Sequence, residues 1–118
     1  YIFFRKDRVK DIRTKLKCVS IKKNFGWCDD IRSKSYNKFI RFPFKYGAEK
    51  LHLKENVYDI AVVVDYNFKP IRKNRGSAIF LHIAKKNYSP TLGCVAISKN
   101  DLKHLISIIN KNTYLKIL

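Results

Sequence analysis

The chain has 118 residues, 46% hydrophobic and 14% aromatic, and its Lys+Arg 26 against Asp+Glu 9 give a net charge of +17. That is about one domain, large enough to bury roughly 65% of its unfolded surface, too apolar to stay disordered, and without an apolar run near the roughly 18 residues of a membrane-crossing helix. The charge raises nucleic acid as a partner, but Lys6, Lys10, Lys15, Lys22, Lys34, Lys54, Lys85 and Lys111 are scattered over different segments and no zinc-finger spacing, RNA-recognition aromatics or helix-turn-helix accompany them, so no nucleic acid is expected.

In chain order, Tyr1 to Arg5 reads as a strand, and Asp7 to Lys17 is polar with scattered apolar residues and no clear period. Asn24 to Tyr46 carries Gly26, Pro43 and several Asn, Ser and Asp residues, and reads as a long irregular stretch covering a site. Glu49 to Leu53 is compatible with a short helix. Val57 to Tyr66 is the best strand, a β-branched run suited to burial on both faces. Asn67 to Gly76 turns at Pro70 and Gly76. Ile79 to Ala84 is the next strand, Lys85 to Gly93 a loop, and Cys94 to Ile97 a short strand. Ser98-Lys99-Asn100-Asp101 is a capping box opening a helix to about Asn110, and Tyr114 to Leu118 adds a final strand. The expected fold is mainly β (β-rich α+β), one domain over residues 1–118 with one or two short helices.

The chemistry concentrates in Gly76-Ser77-Ala78-Ile79-Phe80-Leu81-His82 and Tyr88-Ser89-Pro90-Thr91-Leu92-Gly93-Cys94-Val95-Ala96-Ile97. A His ending one apolar run and a Cys opening another suit a thiol nucleophile and its base on the ends of neighbouring strands. A thiol of pKa about 8.5 is mostly protonated at neutral pH and needs an imidazole to take its proton. Gly93, without a Cβ, lets a substrate backbone approach the sulfur and frees local amides for an oxyanion. The competing reading is structural: a Cys often packs as a small hydrophobe, and a lone His on an apolar strand is often a hydrogen-bonded core residue. In the catalytic geometry His82 holds the thiolate as an ion pair, and an adjacent acceptor such as the Ile83 carbonyl orients the ring.

These two segments resemble the catalytic end of the L,D-transpeptidase (YkuD-like) family, whose signature is a His, a variable run, and then Ser/Thr-His-Gly-Cys. The resemblance implies Cys94 as nucleophile, His82 as base, Gly93 as the shaper of the oxyanion site and Thr91 as the Ser/Thr of the signature. Leu92 stands where the signature has its second His, and Ala96 where it has Asn or Arg. Both departures look like a divergent branch with Pro-Thr-x-Gly-Cys-Val-Ala, a branch that Gly26-Trp27-Cys28-Asp29-Asp30, Tyr36-Asn37, Leu51 to Tyr58-Asp59 and Val63-Val64-Asp65-Tyr66-Asn67 fit as well. The resemblance implies a mixed sheet or sandwich fold, peptidoglycan stem peptides as partner, no cofactor, and a periplasmic or cell-envelope location. With Met absent and the branch carrying sequence ahead of this point, an amino-terminal piece with at least one strand is expected to be missing.

Ser77, Thr91 and Tyr88 are candidates for substrate contact, although each residue type is also common at strand ends and turns. Trp27, Asp29, Asp30, Tyr36 and Asn37 are candidates for a substrate-facing wall. Of the three cysteines, only Cys18 and Cys28 could pair if Cys94 stays a thiol, and Cys28 beside Trp27 reads as buried and structural. The cysteines and His52, His82 and His104 show no paired ligand spacing, so no metal is expected. His104 falls in the last helix as a surface or boundary residue. A monomer is the default. Two alternatives to acyl transfer stay open, a non-catalytic wall-binding module and a basic nucleic-acid-binding domain.

Overall fold

The four-residue apolar runs Ile60–Val63 and Phe80–Ile83 become strands buried along their whole length, covered on both faces. The computed structural model describes residues 1–85 and 94–116. In chain order the elements are β1 (Ile2–Phe4), β2 (Cys18–Ser20), β3 (Phe25–Cys28), β4 (Phe39–Arg41), β5 (Ala48–Lys50), β6 (Ile60–Val63), β7 (Phe80–Ile83), β8 (Val95–Ile97) and α1 (Lys99–Ile108). Among the described residues the protein is therefore mainly β, with one helix.

The strands form a five-stranded mixed sheet, β2-β1-β6-β7-β8, and a three-stranded antiparallel sheet, β4-β3-β5. Side chains alternate across the large sheet. Phe3, Ala61, Val63 and Phe80 face the small sheet, where Phe25, Trp27, Leu51 and Tyr58 complete a first core. Ile2, Ile60, Val62, Leu81 and Ile83 face the other way, where Val9, Leu102 and Ile106 complete a second. The large sheet is thus the middle layer, with the small sheet on one side and α1 on the other. Edge-to-face ring contacts tie the first core together: Phe3 to Trp27 at 6.4 Å between centroids, Phe25 to Phe39 at 4.8 Å and Trp27 to Phe80 at 5.3 Å. Burying each such side chain contributes about 1.5–3 kcal/mol.

Gly26 lies where the small sheet admits no side chain. A Cβ there would come within 2.6 Å of Phe42 Cε2 and 2.8 Å of Ile40 Cδ1. Gly26→Ala is expected to lower stability by about 1–3 kcal/mol through overpacking, read from the urea midpoint with an unchanged m-value.

Several elements match expectation. All four residues of β6 are buried and the strand is central, between β1 and β7. The Ser98 hydroxyl accepts from the Asp101 N–H at 3.2 Å, and α1 places Leu102 and Ile106 one turn apart on its buried side. Others are corrected. The stretch from Asn24 to Tyr46 is not wholly irregular but contains β3 and β4, whose four and three residues are too short for a visible period and are held by pairing with each other. Glu49 to Leu53 is not helical: Ala48–Lys50 pairs antiparallel with β3, and the ladder prevails over local propensity. β2 was not foreseen, because Cys18–Ser20 owes its strand to a parallel pairing with β1. Residues 114–116 form no strand, and the remaining two of that expected strand lie outside the described residues. No helix among the described residues is long and apolar enough to cross a membrane.

Candidate functional site

Strand pairing brings the expected nucleophile and base to one face. β7 and β8 are parallel hydrogen-bonded neighbours, with Leu81 beside Val95, His82 beside Ala96 and Ile83 beside Ile97. One step back along that ladder Cys94 stands level with Phe80, not with His82. Leu81, Ile83, Val95 and Ile97 face the helix side. Alternation therefore turns Phe80, His82 and Cys94 to the opposite side, and Cys94 packs on the first core.

Cys94 Sγ donates to the Ala78 carbonyl at 3.1 Å and accepts from the Phe80 N–H at 3.4 Å. Ala78 reaches the sulfur through a left-handed backbone, φ +57°, a conformation that costs a residue with a Cβ roughly 1–2 kcal/mol. Asn37 holds it there, since its Oδ1 accepts from the Ala78 N–H at 3.3 Å and from Trp27 Nε1 at 3.0 Å. Its Nδ2 donates to the carbonyls of Tyr66 at 3.1 Å and Asn67 at 2.9 Å.

His82 is buried, and its Nδ1 lies 2.8 Å from the Ile83 carbonyl. A carbonyl only accepts, so the proton is on Nδ1 and Nε2 carries the lone pair. The expected orienting acceptor is the one used. Tyr58 packs edge-on against the imidazole, 5.4 Å between centroids at 83°, and against Phe80 at 5.6 Å. Its hydroxyl donates to Glu49 Oε1.

The electrostatics differ from the expected ion pair. Burial pushes the Cys94 thiol up, opposed by the Phe80 N–H and reinforced by the Glu49 carboxylate. Burial also pushes the His82 imidazole down, opposed by the Ile83 carbonyl and reinforced by Lys85. At neutral pH the resting pair is neutral thiol and neutral imidazole, so the proton must move when a substrate is attacked. Burial also raises Glu49, partly offset by the Tyr58 hydroxyl and reinforced by Asp29.

The other expected site residues fall into four groups. Trp27 and Asn37 are buried and bonded to each other, so they brace the site from behind and do not form a substrate-facing wall. Asp30 accepts from Arg32 and from the Gly47 N–H at 2.9 Å, tying its own loop to the start of β5. Tyr36 is likewise buried, and its hydroxyl accepts from the Gly76 N–H at 3.2 Å. Ser77 donates to the Cys28 carbonyl at 2.6 Å, bridging the segment before β7 to β3. Asp29 is exposed. Gly93, Thr91 and Tyr88 lie outside the described residues.

Cys28 is wholly buried, as expected of a structural thiol, Cys18 is exposed, and no disulfide joins the two. His104 is exposed. Among the described residues no three His, Cys, Asp or Glu side chains converge as metal ligands. A cavity of about 640 Å³ lined by Tyr1, Val62, Leu81, Leu105, Ile109 and Tyr114 shares no residue with the thiol and imidazole. Sequence reasoning missed Glu49 and Tyr58. Tyr58 was read only as part of the strand Val57 to Tyr66 and of a segment quoted for its resemblance, and Glu49 was placed in a possible short helix that would not have aimed it across the core.

No protein-family model, curated protein or solved structure matches this chain.

Proposed function

We propose that the protein is a cysteine-dependent acyltransferase of the L,D-transpeptidase type, acting on peptidoglycan stem peptides in the bacterial cell envelope. The observation that carries this reading is the Nδ1 hydrogen bond to the Ile83 carbonyl, which leaves Nε2 as the basic nitrogen on the sheet face that also bears Cys94. A core histidine needs a partner for each nitrogen, whereas a base needs one nitrogen tied and the other available. The motif around His82 and Cys94 supplies the substrate class by resemblance, and the two sheets around the first core are read as that family's sandwich.

In this reading Cys94 Sγ attacks the carbonyl at the L-centre of a diamino-acid residue while His82 Nε2 takes the thiol proton. The tetrahedral oxyanion collapses, the C–N bond to the terminal D-amino acid breaks, and His82 returns the proton to the leaving amine. An amine acceptor then attacks the thioester, its proton passing to His82, and Cys94 is released. Water in place of the amine gives an L,D-carboxypeptidase. No cofactor takes part.

Incubation with a thiol-directed carbapenem and with isolated peptidoglycan tests this. Selective acylation of Cys94 and release of a D-amino acid are expected, both abolished in Cys94→Ala. Labelling confined to Cys18 and Cys28, or sedimentation with cell wall without any release, would replace the enzyme with a wall-binding module.

A further inference from the structure

Among the described residues Glu49 is the one acid that is at least partly buried and has no cationic partner. Three other carboxylates of the fold have cationic partners, Asp7 with Arg5, Asp30 with Arg32 and Asp59 with Arg8. Glu49 has no ion pair among the described residues, and unlike Asp11, Asp29, Glu55, Asp65 and Asp101, which also have none, it is not exposed. It is half-buried and stands opposite Trp27 in the β3–β5 ladder. Residues directly opposed in an antiparallel pair share a face, so Glu49 points with Trp27 into the space between the sheets. There the Tyr58 hydroxyl holds it, and Tyr58 in turn packs on the His82 ring and on Phe80, whose N–H reaches Cys94 Sγ. Among the described residues, the charged or titratable groups on this side of the sulfur include Glu49, Tyr58 and His82, with Asp29 acting on Glu49 and Lys85 on the imidazole. A carboxylate so placed opposes a thiolate, and it is matched by a ligand that brings one positive charge and a donor.

We infer that the Glu49 carboxylate, held by the Tyr58 hydroxyl on the sheet face of Cys94 and His82, receives an alkylammonium group of the substrate, whose arrival offsets a negative charge that opposes the thiolate. Binding and activation are then one event: the ammonium cancels the charge that restrains the sulfur, and Cys94 gives its proton to His82 Nε2. The ammonium half rests on the acyl-transfer reading, because it assigns the cation to a substrate. The restraint of the thiol does not.

The test is the rate at which iodoacetamide alkylates each cysteine, resolved by mass spectrometry across pH, with exposed Cys18 as internal reference. Glu49→Gln is expected to speed Cys94 roughly three- to tenfold at neutral pH, a change of about half to one unit in its titration midpoint, moved downward, with Cys18 unaltered. Butylammonium chloride is expected to speed Cys94 in the wild-type chain relative to butanol at matched ionic strength, and to do nothing in Glu49→Gln. Equal Cys94 rates in the folded variant and the wild type would overturn the inference. So would a wild-type rate that does not distinguish butylammonium from butanol with sodium chloride, an arm that needs no variant to fold. Because iodoacetamide needs no peptide substrate, a chain that releases no D-amino acid still answers this question separately.

Discussion

His82→Asn is expected to cut the acylation rate of Cys94 by 10²- to 10⁴-fold at neutral pH, roughly the contribution of a positioned general base. The loss should shrink as pH rises, because above the raised thiol value the thiolate forms without help and the missing base matters less. On the acid side the wild-type rate should hold below pH 6.5, the ordinary imidazole value, since burial pushes His82 lower and keeps Nε2 unprotonated. The same shift fixes a stability trend. A group whose folded value is depressed binds more protons unfolded than folded, so its contribution is complete above about pH 6.5 and drains away as pH falls through the folded value. Single-turnover acylation against pH checks the first statement, and the urea midpoint of wild type against His82→Asn over the same range checks the second. A loss that stays constant to high pH would mean that His82 only shapes the site.

Asn37→Ala is expected to cost roughly 3 kcal/mol of stability. Its amide meets Trp27 Nε1, the Ala78 N–H and the carbonyls of Tyr66 and Asn67, so truncation leaves two buried donors and two part-buried acceptors unmet in three segments. Asn37 is itself left-handed, φ +56°, a conformation that Asn tolerates better than Ala. Asn37→Gly restores that freedom but none of the hydrogen bonds, and should recover no more than about 1 kcal/mol. Comparing the two variants by chemical denaturation separates backbone from side chain. Cys94 alkylation should change in both, because the Ala78 carbonyl that the sulfur donates to is held through Asn37.

What could be read beforehand follows the range of the forces involved. The strands β6, inside the longer run expected over Val57 to Tyr66, and β7, inside Ile79 to Ala84, were legible because β-branched and apolar runs report their own burial. Ser98 and Asp101 were legible because a helix cap is local. β2, β3, β4 and β5 were not, because strands of three or four residues exist by virtue of partners far along the chain. The same division runs through the site. That His82 and Cys94 share a face and that the Ile83 carbonyl meets the ring were foreseeable because each sits in a short motif. The roles of Trp27 and Asn37 were misread because a polar, aromatic segment looks the same whether it faces a ligand or braces a turn from within. Glu49 was invisible as a site residue, since only the pairing of Trp27 with Glu49 aims it at Tyr58.

The middle layer separates two kinds of perturbation. Leu102 and Ile106 anchor α1 to one side of the large sheet, while Cys94, His82 and Tyr58 occupy the other. Trimming the helix contacts should therefore loosen the whole molecule without retuning the sulfur, and a probe tethered at exposed His104 would report unfolding while remaining blind to acylation. Durability and reactivity become separately adjustable, each from its own side of one shared wall.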